Sequence, residues 1–233
     1  MTAVFKREFQ SYFTSPLGYV YLAIFLFFEG YFFTTLYTYG SPSVEIIFSS
    51  VSSVVVLVTP VLTMRLLSED RRQKVDQALL TAPVSVAGIV LGKFFAALSV
   101  YALAFAPTIL FEAIISAMAN PNWLIFLNGL LGTLLIGAAL IAIGMFISSL
   151  TESPIISCIL TLVTFLLLMV LTNLASMTQV EWIIAAAEKI AFINLFATFT
   201  SSVFSVVNVI YLLSVAAVFV FVSVRAVERR RYA

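Results

Sequence analysis

A short charged stretch, Glu69, Asp70, Arg71 and Arg72, contains the side chains best suited to specific recognition in this 233-residue chain. It lies in a connection, residues 65–93, that holds eight of the 23 charged side chains, 12 basic and 11 acidic. Adjacent acids and bases favour ion pairs and charge-assisted hydrogen bonds with another surface. They do not supply a nucleophile with its activating base. The predicted chemistry is therefore recognition and not bond breaking.

The sequence offers little material for catalysis or metal binding. It has no histidine, and its single cysteine, Cys158, lies in an apolar block, so histidine-based chemistry and internal disulfides are excluded. Gly88 and Gly92 precede Lys93, but three residues separate the glycines where a phosphate-binding loop has four. Phe94 also stands where such a loop has Ser or Thr for magnesium. We predict that the chain is not an enzyme and binds no cofactor or metal itself.

The charged stretch is predicted to begin an amphipathic helix over residues 68–80. Ser68 can cap this helix, and Glu69 and Asp70 favour its positive N-terminal end. Ser85 can cap the helix that follows. Apolar residues at i, i+3 and i+4 give the first helix a narrow face for contact: Val75, Ala78 and Leu79. The alternative is a solvated loop whose basic residues only determine membrane topology.

The surrounding elements are predicted to be membrane spans. The chain is 62% hydrophobic and 10% charged, with a mean hydropathy of +1.13, which is typical of a polytopic membrane protein. We predict one all-α transmembrane domain over residues 1–233, since six spans of about 20 residues use most of the length. The predicted spans are 18–39, 46–64, 94–118, 123–150, 155–174 and 206–224.

The basic residues predict the orientation of these spans. Eleven of the twelve Lys and Arg residues fall on one side of the membrane if the chain crosses it six times, and Lys189 is the exception. Because basic residues in short loops resist translocation, both termini and the 65–93 connection are predicted to be cytoplasmic. The basic residues are accounted for by topology and the membrane surface, so no nucleic-acid partner is predicted.

Two further segments are predicted to lie at the membrane surface. Residues 2–15 form an amphipathic interfacial helix, with Lys6, Arg7, Glu8, Gln10 and Ser11 opposite an aromatic face. Residues 175–205 are too polar to span twice and are predicted to form external re-entrant or interfacial half-helices. The aromatic face of the first helix consists of Phe5, Phe9, Tyr12 and Phe13.

Glu29 is predicted to be functional because it lies near the middle of the first span. A lone charge there costs about 2.5–3.5 kcal/mol on insertion scales. It is a candidate for a translocation path, for a dimer interface or, in its protonated form, for a hydrogen bond to a neighbouring helix. In the fourth span, Gly129, Thr133 and Gly137 recur at four-residue spacing, which favours close helix packing within the bundle over a dimer seam.

Several motifs resemble those of the permease subunits of type-2 ABC exporters. The run Met64 to Arg72, followed by residues 79–85 and by Gly92 and Lys93, resembles the family's coupling-helix loop. Residues 5–19 are similar to the gliding-motility-type and nitrous-oxide-maturation-type branches. Residues 144–152 resemble the family's short connection between the fourth and fifth spans.

This resemblance implies a function and a set of partners. The expected assembly is a homodimer or a dimer with a paralogous permease, bound to ABC ATP-binding subunits that carry the ATP and Mg. It would export an unidentified substrate across a bacterial-type inner or plasma membrane, with an external auxiliary protein as a further candidate partner. The implied ATPase contacts are Glu69, Asp70, Arg71, Arg72, Lys74, Val75, Asp76 and Leu79 in the coupling helix, and Thr151 and Glu152 in the second cytoplasmic contact.

Two other functions remain open from the residues. The first is an ATPase-linked membrane scaffold that transmits force or conformational change to an external partner. The second is a secondary transporter that works alone. The absence of paired intramembrane charges and of an internal repeat weighs against the secondary transporter.

Overall fold

The computed structural model describes residues 1–39, 44–73, 85–117, 123–177, 180, 195, 198–199 and 205–231. Within these ranges the chain is all helical, with no strand. The helices are α1 (Thr2–Thr14), α2 (Pro16–Thr38), α3 (Val44–Thr63), α4 (Ser68–Arg72), α5 (Val86–Ala104), α6 (Ala106–Ser116), α7 (Trp123–Leu150), α8 (Pro154–Met177) and α9 (Val206–Arg231).

The described part of the chain contains five helical stretches that are long and apolar enough to cross a membrane. A further apolar stretch, Pro154–Val170 within α8, is shorter. The chain is therefore a multi-pass membrane protein, as its composition predicts. The five stretches are Pro16–Thr38, Ile46–Arg72, Val86–Ser116, Trp123–Leu150 and Val206–Arg229.

The N-terminal helix turns into the first long helix at Ser15 and Pro16. Ser15 has extended backbone angles, φ −97° and ψ 156°, and Pro16 begins α2. Proline suits the first helical position because its fixed φ is helical and the N–H it lacks would have no partner there. Gly18 allows the corner to close, since a side chain at that position would collide with the backbone of Tyr12. The predicted interfacial helix, residues 2–15, is therefore separate from the helix that contains nearly all of the predicted first span, residues 18–39.

Helix α7 lies at the centre of the bundle and packs against α3, α5, α8 and α9. Small residues make this possible. A side chain at Gly129 would meet the ring of Phe48 in α3, and one at Gly137 would meet the ring of Tyr101 in α5. These glycines therefore serve packing inside one chain, which agrees with the bundle-packing interpretation.

The predicted third span is two helices. Ser85 caps α5 by accepting a hydrogen bond from the Gly88 backbone N–H at 3.2 Å, as predicted. The helix then breaks at Phe105, and α6 begins at Ala106. Pro107 explains the break, because proline has no N–H to donate to the preceding turn.

Most of the predicted half-helix segment, residues 175–205, lies outside the described residues. Its described part reaches the bundle, since the side-chain amide of Asn128 in α7 donates to the backbone carbonyl of Phe199 at 2.9 Å. Phe199 is buried against Gly132.

Candidate functional site

A buried lysine connects three helices at the end of the bundle where the 65–93 connection begins and ends. Lys93 Nζ in α5 lies 3.1 Å from Glu8 Oε2 in α1 and 2.9 Å from Asp70 Oδ2 in α4. The Lys93 side chain is 1% exposed, whereas those of Glu8 and Asp70 are 13% and 18% exposed. Two carboxylates therefore neutralise one desolvated ammonium, and we call these three residues the Lys93 triad.

Helix α1 is held in place by polar and packing contacts. Glu8 also accepts hydrogen bonds from the neighbouring Arg7 guanidinium at 2.6 and 3.2 Å, and this contact raises the pKa of Arg7. The Tyr12 hydroxyl donates to the backbone carbonyl of Leu62 in α3 at 3.0 Å. Burial raises the pKa of Tyr12. Gly92 admits Val4 so closely that an added Cβ would lie 3.1 Å from its side chain.

The predicted aromatic face of α1 is present as a row of rings. Phe5 and Phe9 have centroids 5.9 Å apart, and Phe9 and Phe13 have centroids 5.2 Å apart. All three rings are partly exposed, whereas Tyr12 is buried. Glu8, predicted on the opposite polar face, is turned toward Lys93. Sequence periodicity therefore located the aromatic row but missed that part of the polar face is covered by protein.

The other side of α4 is fixed by one hydroxyl group. Ser148 Oγ in α7 accepts hydrogen bonds from the backbone N–H groups of Leu67 and Ser68 at 3.1 and 3.0 Å. The same hydroxyl donates to the Met64 carbonyl at 3.1 Å. Free backbone donors at the start of a helix need such partners, so Ser148 caps α4 from a distant helix.

The predicted role of Ser68 as a cap is wrong. Leu67 precedes the helix as its N-cap residue, and Ser68 is the first helical residue. The Ser68 hydroxyl donates back to the Met64 carbonyl. Because the chain turns continuously from α3 into α4, this local acceptor is closer than the N–H groups that a cap would serve. Ser148 supplies the cap that the sequence pattern assigned to Ser68.

The two predicted cytoplasmic contacts are adjacent in space. Arg71 Nη2 in α4 lies 2.5 Å from Glu152 Oε1 in the turn between α7 and α8. Arg71 Nη1 also donates to the Leu150 carbonyl at 3.5 Å. Thr151, the other residue predicted there, donates to the Ser153 carbonyl at 3.5 Å.

Within the described part of α4, the predicted contact residues differ in availability. Arg72 is exposed, and Glu69 is partly exposed, at 3.7 Å from Arg65. Asp70 is bound to Lys93, and Arg71 to Glu152. The helix is described only to Arg72. The predicted contacts Lys74, Val75, Asp76 and Leu79 lie outside the described residues.

A cavity of about 460 Å³ lies beside the Lys93 triad. Its charged lining consists of three basic and three acidic side chains, so it carries no net charge. Lys93 is matched by Glu8 and Asp70, and Arg65 by Glu69. The full lining is Arg7, Glu8, Ser11, Tyr12, Thr14, Ser15, Leu17, Arg65, Leu66, Glu69, Asp70, Gln73 and Lys93.

Glu29 lies in the middle of α2 and does not line this cavity. Its side chain is 0% exposed, and neither carboxylate oxygen has a hydrogen-bond partner among the described residues. A buried polar group without a hydrogen-bond partner is costly, so Glu29 is an unusual residue for this helix. A translocation path or a second subunit would reach Glu29 only after the surrounding helices separate.

Sequence reasoning missed Lys93 and Ser148. The sequence analysis gave Lys93 no internal partner, although its position in an apolar helix signals that it needs one. Ser148 carries no comparable local signal, because its acceptor role depends on α4 lying against α7. Neither a comparison with protein-family models nor one with curated proteins finds a match to this chain.

Proposed function

We propose that this chain is the permease subunit of an ATP-driven ABC export complex. In this proposal it forms a dimer with itself or with a paralogous permease, and a separate ATP-binding subunit docks on α4 and the α7–α8 turn. The observation that carries the proposal is the 2.5 Å contact between Arg71 and Glu152. It brings together the two segments that a cytoplasmic subunit would have to touch.

The proposal includes six membrane spans with both termini in the cytoplasm. Helix α8 would be the fifth span. Its 24 residues correspond to about 36 Å at 1.5 Å per residue, which exceeds the roughly 30 Å hydrocarbon core. The clustering of basic residues supports this orientation. The outer segment between α8 and α9 would then be available to an external auxiliary protein.

Movement of α4 would reach the spans through specific contacts. The segment is joined to α5 through Lys93 and to α7 through Ser148. Closure of ATP-binding subunits would displace α4, and these two connections would pass the displacement to the membrane helices. Partner contacts by Glu69, Arg72 and the more distal Lys74, Val75, Asp76 and Leu79 belong to this proposal.

The test is purification of the tagged chain in mild detergent from its native host, with mass spectrometry of the associated proteins. An ATP-binding subunit should be recovered with the native chain and lost with Arg72→Glu. Arg72 is the better choice than Arg71, because reversing Arg71 would also break its internal pair with Glu152. A partly buried charged hydrogen bond contributes about 1.5–3 kcal/mol, so the reversal should weaken binding tenfold or more.

Arg229→Glu is the matched control, because Arg229 is an exposed arginine near the end of α9. It should leave recovery unchanged. A solitary native chain, in detergents that preserve known complexes, would contradict the ABC proposal and favour the secondary transporter. Equal loss from Arg229→Glu would mean that general charge, and not α4, determines recovery.

Glu29 provides a separate test of transport. If the export path opens at this residue, Glu29→Gln should lower export at unchanged expression, because the amide keeps the shape and loses the titratable group. Normal export in Glu29→Gln would exclude a path role for Glu29. It would leave the ATPase contact at α4 to be decided by the recovery experiment.

A further inference from the structure

At the end of the bundle near the 65–93 connection, α1 and α4 pack mainly on different helices. Helix α1 packs against α5 and α2, whereas α4 contacts the ends of α7 and α8. Lys93 links α1 to α4 directly, since its ammonium binds Glu8 in α1 and Asp70 in α4. The side chain that makes this link is 1% exposed.

Charge pairing at this position favours one orientation of α4. A buried ammonium requires its carboxylates within hydrogen-bond distance, because a charge left unpaired away from water is strongly disfavoured. Apolar contact between the same helices would tolerate sliding or rotation of α4, whereas two ion pairs at about 3 Å define where Asp70 must lie relative to Glu8.

We propose that Lys93 is a positioning residue that orients α4 against α1 and α5. The N-terminal helix is then part of the apparatus that presents the charged segment to the cytoplasm, in addition to any contact with the membrane surface. This role goes beyond the permease proposal, because it concerns contacts within the chain. It predicts that loss of the triad frees α4 from α1 while each helix keeps its other attachments.

The test is a spin-label distance between α1 and α4 in the full chain reconstituted in lipid nanodiscs. Gln10→Cys and Gln73→Cys place labels at two exposed positions, and Cys158→Ser removes the native thiol. Pulsed electron paramagnetic resonance should give a single narrow distance in this background. Lys93→Met should give a broad distance distribution instead. Lys93→Arg should give the narrow distance again, because Arg keeps the positive charge.

Tyr12→Phe is the matched control. It removes the hydrogen bond from α1 to Leu62 without touching α4, so the narrow distance should persist. Broadening in Tyr12→Phe equal to that in Lys93→Met would overturn the proposal, because any loosening of α1 would then be sufficient.

A second variant addresses the unpaired acids that Lys93→Met leaves behind. The triple change Glu8→Gln, Asp70→Asn, Lys93→Met removes all three charges and should fold, but it should still give the broad distribution. A narrow, native-like distance in this variant would overturn the proposal, because packing alone would orient α4. The two proposals can fail separately. If Arg72→Glu does not release an ATP-binding subunit, the permease proposal loses its support, but the distances between α1 and α4 still decide the role of Lys93.

Discussion

The guanidinium of Arg71 lies 2.5 Å from the carboxylate of Glu152 and joins α4 to the turn between α7 and α8. Both side chains are substantially accessible, at 31% and 65% exposure. Water and salt therefore compete with this pair, and its geometric role exceeds its energetic one. The pair holds α4 beside the turn between α7 and α8, but it is too weak to prevent their separation.

A double-mutant cycle with Arg71→Ala and Glu152→Ala should consequently give a small coupling energy, about 0.2–1 kcal/mol, for unfolding in detergent. The coupling should decrease when ionic strength rises, because exposed charges are screened. Coupling above this range that is insensitive to salt would indicate that the pair is shielded from water, contrary to its exposure.

Ser148→Ala should destabilise the chain by about 1–3 kcal/mol for each buried backbone N–H left without an acceptor. The affected groups are the N–H of Leu67 and that of Ser68. Thermal unfolding in detergent, followed by circular dichroism, measures the effect. Ser149→Ala is the adjacent control, since the Ser149 hydroxyl donates only to the Phe146 carbonyl among the described contacts. Equal effects of the two variants would contradict the capping role of Ser148.

Gly137→Ala should destabilise the bundle by about 1–3 kcal/mol, because the added methyl group would overlap the ring of Tyr101. Gly30→Ala provides the comparison, since nothing lies within 4 Å of its added Cβ. That variant should be unchanged or more stable by about 0.5–1 kcal/mol, as alanine is the better helix former. If Gly137→Ala does not destabilise the chain, α5 and α7 are not in close contact at Tyr101 and Gly137.

Lys93→Met should lower the free energy of unfolding by about 3–5 kcal/mol, because Glu8 and Asp70 would remain together without their cation. Lys6→Met removes a lysine from an exposed position and should change stability little. If both substitutions have similar small effects on the unfolding transition, the triad is not buried as described.

Tyr12→Phe tests how the stability of the folded chain depends on pH. Burial raises the pKa of Tyr12 in the folded chain above its value of about 10 in the unfolded chain. Above pH 10 the unfolded state therefore loses the phenol proton first, and native stability falls as pH rises. At neutral pH the variant should be less stable by about 0.5–1.5 kcal/mol, through loss of the bond to Leu62. The difference in unfolding free energy between the native chain and Tyr12→Phe should decrease above pH 10. A constant difference would mean that Tyr12 ionises equally well in both states.

Local signals in the sequence predicted local structure well. The Ser85 cap was confirmed because the cap and its donor, Gly88, are three residues apart. The corner at Pro16 follows from the chemistry of one residue. The break at Phe105 was missed, although Pro107 indicates it, because the surrounding apolar block was interpreted as one continuous span.

The candidate site could be predicted only in part. The charged stretch at Glu69 to Arg72 was identified by residue type, whereas Glu152 was implied only by a family resemblance. Their mutual contact and the Lys93 triad depend on how α1, α4, α5 and α7 meet, and no short-range pattern specifies that meeting. Only the structure therefore shows which charged side chains are paired inside the chain, such as Asp70, and which remain available to a partner, such as Arg72.

The order of the Lys93 triad along the chain has a consequence for biogenesis. Glu8 and Asp70 are both synthesised before Lys93, so its two counter-ions already exist when α5 emerges from the ribosome. In the proposed orientation, the ammonium would be a free positive charge until α1 and α4 assemble around it, and it would resist translocation and help to orient α5. Once they assemble, the same charge is neutralised and buried. In that orientation, one lysine would contribute first to the direction of membrane insertion and afterwards to the cohesion of the folded chain.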